Sequence, residues 1–222
     1  MRVLIFGSSG ALGNCVLETF ESHGWETVGT SREISNQKTV KIGAEFESQI
    51  AGLGPFDAVV FAQGKNTSDS IDNTSKLAEI LEANLTSIST AVEKLLRTSS
   101  FSDKARVTII GSVWQGVSRV NKFSYSVSKS ALQGLMNSMV ADLSSLGIST
   151  NIVAPGVVDT PMTRANLKSE QIERVIAQTP IGKLVTPNEV ASLVYWLSSP
   201  LAEGINGQTI RIDNGWSNVR FI

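Results

Sequence analysis

Arg2-Val3-Leu4-Ile5-Phe6-Gly7-Ser8-Ser9-Gly10-Ala11-Leu12-Gly13 decides how the rest of the chain is read. Val3 to Phe6 is a short apolar run of the kind that forms a strand buried on both faces. The glycines at 7, 10 and 13 break it, and a segment of helical character follows. A glycine-rich turn between a first strand and a helix lets backbone approach a pyrophosphate, whose charge the helix N-terminus favours. Gly7, Ser8, Ser9, Gly10, Leu12 and Gly13 are therefore candidate phosphate contacts, with the two serines able to add hydroxyls. The alternative is a tight turn that binds nothing, and its position directly after the first strand weighs against that.

Outward from this turn, short apolar runs alternate with longer stretches of helical period, the pattern of βαβ units wound into a parallel sheet. Strands are expected at 2–6, 26–30, 39–42, 57–62, 106–111, 149–153 and 208–212. One long amphipathic helix is expected over 75–96, since Leu77, Ile80, Leu81, Leu85, Ile88, Val92, Leu95 and Leu96 recur every three or four residues. Asn84 is a polar residue near its middle. Further helices are expected over 124–145 and, from Pro187 in its first turn, over 187–197. The fold class is α/β: one Rossmann-type domain over 1–222, a doubly wound parallel sheet of about seven strands with helices on both faces. The polar stretches 64–73 and 160–180 follow strand ends and are expected to move.

The composition excludes several classes of function. A formal net charge of −1 with 18% charged residues and no basic run gives nucleic acid or an anionic membrane nothing to bind. Cys15 has no partner for an internal disulfide, and His23 is the sole histidine, so no metal is expected. The apolar start is too short for a signal peptide core or a membrane span, which points to the cytoplasm.

Tyr125-Ser126-Val127-Ser128-Lys129 places a phenol and an ammonium four residues apart, on one face of a helix. A nearby positive charge favours phenolate and brings tyrosine toward acid/base work. The same spacing is common on solvated helices. Ser112, thirteen residues before Tyr125 at the end of a predicted strand, adds a hydroxyl able to hold a carbonyl oxygen.

With Asn84, these residues resemble in order and spacing the asparagine, serine, tyrosine, lysine tetrad of the short-chain dehydrogenase/reductase family. The resemblance continues through Asn151-Ile152-Val153-Ala154-Pro155-Gly156-Val157-Val158-Asp159-Thr160-Pro161-Met162, which is similar to the family's nicotinamide-side loop. It extends through Pro180–Lys183, Thr186–Ala191 and Ile205–Gly215, similar to the branch of 3-oxoacyl-carrier-protein reductases and small ketoreductases. It implies hydride transfer between a nicotinamide cofactor and a small carbonyl compound or alcohol. Tyr125 would be the proton donor and Ser112 the oxygen ligand. Lys129 would bind the nicotinamide ribose and lower the Tyr125 pKa, and Asn84 would hold a water that relays protons. Ala62, Gly64, Pro155, Gly156, Val158 and Thr160 would contact the cofactor, with Thr160 and the Pro155-Gly156 turn orienting its amide. Homodimers or homotetramers are implied as well. Trp114 and Phe123 flank the site as pocket lining or packing, Trp196 and Trp216 read as packing or subunit contacts, and 163–178 reads as a lid.

Three features depart from the family pattern. The glycines are spaced three and three instead of four and two. Phe61-Ala62-Gln63-Gly64 replaces the family's Asn-Asn-Ala-Gly, and Gly43-Ala44 stands after strand three where an adenine-contacting aspartate is common. At the end of the second strand Thr30 occupies the place where NAD enzymes carry a carboxylate, and it is followed by Ser31 and Arg32, which suit a 2′-phosphate. NADP is thus expected over NAD, with Glu33 as the residue able to restore an NAD-like contact. The three-and-three spacing also fits nucleotide-sugar epimerases or dehydratases, but the 71 residues after Asn151 leave no room for a sugar-nucleotide domain. A non-catalytic cofactor sensor is the third reading.

Overall fold

The computed structural model describes residues 1–31, 39–43 and 45–219, with nothing assigned to the Lys41 side chain. Seven strands form one sheet: β1 (Arg2–Phe6), β2 (Glu26–Ser31), β3 (Thr39–Lys41), β4 (Phe56–Phe61), β5 (Phe101–Ile110), β6 (Ser149–Pro155) and β7 (Thr209–Ile212). Their order is β3-β2-β1-β4-β5-β6-β7, and every pairing is parallel. The chain winds one way from β1 to β3 and the other way from β4, so the order reverses between β1 and β4. In open α/β sheets, ligands bind in the crevice at that reversal, beyond the carboxyl ends of the strands. Phe6 pairs with Thr30 on one side and Phe61 on the other, which sets the Gly7 turn over that crevice.

The sheet is buried on both faces. On one side Leu4, Phe6, Val59, Phe61, Val107 and Ile109 pack against α2 (Phe46–Ala51), α4 (Ser87–Arg97) and α5 (Phe123–Leu143). On the other, Val3, Ile5, Ala58, Val60 and Val153 meet α1 (Ala11–Ser22) and α8 (Pro187–Ser198). The near-continuous apolar composition of β1 and β4 follows from this two-sided burial. No helix among the described residues is long and apolar enough to cross a membrane.

Three expectations change in detail. The helix expected over 75–96 is two helices, α3 (Leu77–Leu81) and α4, joined by a π turn at Glu82–Thr86 that contains Asn84. Such a turn inserts a residue into the ladder and re-aims a side chain, which the apolar period does not reveal. The stretch 160–180 holds α6 (Pro161–Asn166) and α7 (Ser169–Ala177), and neither contributes a buried residue. β5 begins at Phe101, five residues before its apolar run, and Phe101 pairs there with Phe56 across a break in register. Ser31 closes β2, whereas Arg32 and Glu33 lie outside the described residues, as does Ala44.

Candidate active site

Gly7 has a φ of +77°, the left-handed region that L residues with a Cβ avoid. A Cβ there would also lie 2.7 Å from the Gln63 amide nitrogen, so Gly7 lets the ends of β1 and β4 come into contact. Gly13 serves the next layer. A Cβ on it would sit 2.1 Å from the Gly7 carbonyl oxygen, so only glycine lets α1 start this close to the turn. Gly10 caps α1 with no side-chain hydrogen bond, which leaves the amides of the first turn open beside exposed Ser9 and Gly10. Ser8 is different: it is buried, and its hydroxyl donates to the Thr30 carbonyl at 3.2 Å, tying the turn to β2.

A nicotinamide dinucleotide suits this crevice on two counts. The open first turn of α1 presents donors to a pyrophosphate. Thr30 Oγ1 and Gln63 Oε1, both buried at the crevice's strand ends, have no hydrogen-bond partner among the described residues. Buried polar atoms left in this state cost free energy unless a ligand or water meets them.

Asn84 is 1% exposed, and its side-chain amide is fully engaged. Its Oδ1 accepts from the Lys65 backbone N–H at 2.6 Å. Its Nδ2 donates to the Lys65 carbonyl and to Ser128 Oγ, both at 2.9 Å. Both amide protons are therefore spent on the protein, and the residue braces the loop after β4. That geometry makes the side chain a brace, a role separate from the relay water expected at Asn84. It also answers the missing asparagines after β4, because Asn84 supplies from the helix the bracing that Ala62-Gln63 does not. The loop 64–73 is correspondingly fastened. Phe123 N–H donates to the Asp69 carbonyl and Ser124 N–H to Asp69 Oδ1, so Asp69 caps α5 from a distance.

Ser112, 5% exposed, caps a 3-10 turn over Val113–Gln115. Its hydroxyl accepts from Trp114 N–H at 3.3 Å, and its own N–H donates to Gln115 Oε1 at 3.2 Å. The space for Gln115 exists because Gly111 lacks a Cβ, which would fall 1.9 Å from that oxygen. Tyr125, partly exposed on the first turn of α5, has its phenol facing the Ser112 hydroxyl. Burial pushes its phenol above the ordinary tyrosine value, and the Ser112 hydroxyl draws it back only in part.

Lys129, 5% exposed, donates from Nζ to the Ile110 carbonyl at 3.0 Å. Burial lowers its pKa from 10.5 to about 8. Its ammonium lies 5.9 Å from the Tyr125 ring centre. Lys129 was expected to depress the Tyr125 pKa, but in the protein without cofactor desolvation raises the phenol and Ser112 is what opposes it. Gly64 lies against both groups, for a Cβ there would be 3.5 Å from Asn84 Oδ1 and 3.6 Å from Lys129 Nζ. Asn84, Ser112, Tyr125 and Lys129 are thus brought together at the carboxyl ends of β4 and β5.

Across the crevice, Gly156 N–H donates to the Ile212 carbonyl, and a Cβ on Gly156 would meet Asp213 at 2.9 Å. Pro155 ends β6, and Val158 bridges to Val185. Thr160 caps α6, its hydroxyl accepting from Thr163 N–H, while Arg164 holds Asp159 through two 2.8 Å bonds. Trp114 packs edge-on against Trp216 at 5.5 Å with Arg119 above it, so one face of this aromatic pair is spent on packing. Four positions with a role in this geometry went unremarked in the sequence. Ser112-x-x-Gln115 is a readable capping box, and Ser128 lies inside the tyrosine-lysine motif. Asp69 and Lys122 carry no local signal.

Comparison with known proteins agrees with this geometry. The family model described as enoyl-(acyl carrier protein) reductase, a short-chain dehydrogenase model, matches residues 15–217. The 3-oxoacyl-(acyl-carrier-protein) reductase FabG of Salmonella typhimurium is 30% identical, with 96% of this chain and 95% of the relative covered. Its counterpart in Escherichia coli is 29% identical over the same shares. Among solved structures, a short chain dehydrogenase family protein from Francisella tularensis superposes with a TM-score of 0.84 at 22% identity, covering 97% of this chain and 98% of that one. The aldohexose dehydrogenase of Thermoplasma acidophilum gives 0.84 at 22% identity, covering 100% and 95%. A glycine turn over the sheet reversal, a serine, tyrosine and buried lysine at the strand ends, and a family model spanning nearly the whole length lead to one assignment: this chain belongs to the short-chain dehydrogenase/reductase family of nicotinamide-dependent oxidoreductases.

Proposed function

We propose that the chain is an NADP-dependent ketoreductase in which Tyr125 protonates the oxygen of a small ketone or 3-oxoacyl thioester. The observation that carries this reading is the Ser112 hydroxyl facing the Tyr125 phenol, with the buried Lys129 ammonium one helical turn on. When bound, the nicotinamide supplies the hydride. Ser112 Oγ donates to the carbonyl oxygen, and the Tyr125 hydroxyl delivers its proton there as negative charge develops. A phenol kept protonated by burial is suited to act as an acid in reduction. Lys129 would hold the nicotinamide ribose in place of the Ile110 carbonyl, and its charge would then stabilise the phenolate left behind. Asn84 holds the loop carrying Gly64 against the lysine.

Gly7, Ser9, Gly10, Leu12 and Gly13 would hold the pyrophosphate, with Ser8 shaping the turn. Ala62 and Gly64 would line the ribose and nicotinamide side, and Pro155, Gly156, Val158 and Thr160 its amide side. Ser31 and Arg32 would take the 2′-phosphate, where a guanidinium forms a charged fork. The absence of a carboxylate at Thr30 supports that preference. The names of the curated relatives support 3-oxoacyl thioesters as the first substrate class to test. We further propose that residues 1–222 act as one catalytic domain, in the cytoplasm, as a homodimer or homotetramer.

A screen of NADPH oxidation against 3-oxoacyl thioesters, keto sugars and simple ketones tests the reading, with NADH run in parallel. Turnover with at least one ketone and a preference for NADPH is expected. Equal efficiency with NADH refutes the cofactor assignment, and an Arg32→Ala variant that keeps the NADPH preference removes Arg32 from it.

A further inference from the structure

Lys122 is 6% exposed, an unusual place for an ammonium in a segment that also presents Val120 and Asn121 to solvent. Its Nζ donates to Asn66 Oδ1 at 2.7 Å and to the Thr67 carbonyl at 2.9 Å, both on the loop after β4. It also lies 5.6 Å from the centre of the Tyr125 ring, slightly nearer than Lys129 at 5.9 Å. Tyr125 is thus approached by two buried ammonium groups, and the tetrad accounts for one of them.

Both hydrogen-bond partners of Lys122 are neutral, and no carboxylate among the described residues forms an ion pair with it. No direct ion pair therefore cancels its charge beside the ring, although the Asp69 carboxylate offsets part of it. The surrounding charged groups are few. Arg119 opposes the Lys122 charge, Asp69 favours it, and burial disfavours it most. Lys129 faces Tyr125 from the next turn of α5, and the Ser112 hydroxyl faces it from the end of β5. Lys65 is committed to Glu79 on α3.

We propose that Lys122 is a positioning residue for the Tyr125 chemistry: it latches the 66–69 loop onto the start of α5 and serves, with Lys129, as a second cation stabilising the Tyr125 phenolate. The latch and the field belong together, because the bonds to Asn66 and Thr67 hold the ammonium at the ring. The inference rests on the ketoreductase reading for its catalytic meaning, although the effect on the phenol is a property of the folded chain alone.

The test uses Lys122→Met, which keeps the stem without the charge, Lys122→Gln, which keeps donors for Asn66 and Thr67, and Lys122→Arg. In the alcohol-oxidising direction, where the phenolate is the base, the rate rises with pH through the Tyr125 pKa. Both neutral variants should move that rise upward by about one pH unit and slow oxidation below it about tenfold. NADP affinity should stay within about twofold, and Lys122→Arg should keep the parent profile. An unmoved profile in both neutral variants overturns the proposal however far activity or melting temperature falls, since a purely structural fastener would act that way. A change confined to KM overturns it too, marking a substrate anchor.

Should the parent reduce no ketone, the ketoreductase reading fails and the inference is judged on the phenol itself. The chain has two tyrosines, so a Tyr195→Phe background leaves Tyr125 as its single tyrosine. Titrating its 13Cζ resonance reads the phenol directly: a higher fraction of phenolate at pH 10 with Lys122 than with Met or Gln supports the proposal, and equal fractions end it.

Discussion

Replacing Asn84 with alanine separates two roles that its position allows. The amide makes three hydrogen bonds, of 2.6, 2.9 and 2.9 Å, to Lys65 N, Lys65 O and Ser128 Oγ. Each is worth about 1 kcal/mol net, and a buried group left unpaired costs more. Ser128 keeps its bond to the Tyr125 carbonyl at 2.8 Å, so its loss is partial, while the Lys65 backbone regains some water. The expected destabilisation is about 2 to 4 kcal/mol, or roughly 5 to 15 °C in Tm for a chain of this size. Urea unfolding followed by circular dichroism gives the first figure and calorimetry the second. Turnover should fall together with stability, because the freed loop carries Gly64, which lies beside Lys129 Nζ. A variant that loses less than about 1 kcal/mol yet has no turnover would refute the bracing role and return Asn84 to proton relay.

Tyr125→Phe removes the proton donor and keeps the ring, so turnover should drop at least about a hundredfold with little change in unfolding free energy, and activity within a few-fold of the parent argues against the assigned role. Lys129→Met should cost turnover and cofactor affinity yet stabilise the cofactor-free fold at neutral pH. The lysine is depressed in the folded state to about 8 from 10.5, so the unfolded chain binds the extra proton and the penalty is complete below pH 8 and fades toward pH 10.5. Full relief would be about 3 kcal/mol. The orphaned Ile110 carbonyl reduces the gain to about 1 to 2, and unfolding curves at pH 7 and pH 10 that show no difference between the variants contradict it. Gly111→Ala should expel the Gln115 side chain and release the Ser112 turn, lowering kcat more than stability; a variant with parental kcat would mean that Ser112 needs no such support.

Local chemistry made the backbone of this protein readable. The apolar runs of β1 and β4 are legible because burial on both faces leaves polar residues little room, and the glycine turn because backbone contact at Gly7 and Gly13 admits no Cβ. Tyr125 and Lys129 are legible because one helical turn separates them. What escaped detection depends on contacts between distant segments. Asp69 caps a helix whose first residue is more than fifty positions away, and Lys122 is buried only because Asn66 and Thr67 come to meet it. The π turn at Asn84 escaped for a related reason. Leu77, Ile80, Leu85 and Ile88 keep an apolar face through it, so the period looks unbroken while the inserted residue turns the amide toward Lys65. The departure at Ala62-Gln63 reads as a loss when the segment is taken alone. In the folded chain it is offset by Asn84, whose two bonds to Lys65 hold the backbone one residue past Gly64, so the bracing comes from the helix rather than from the strand end.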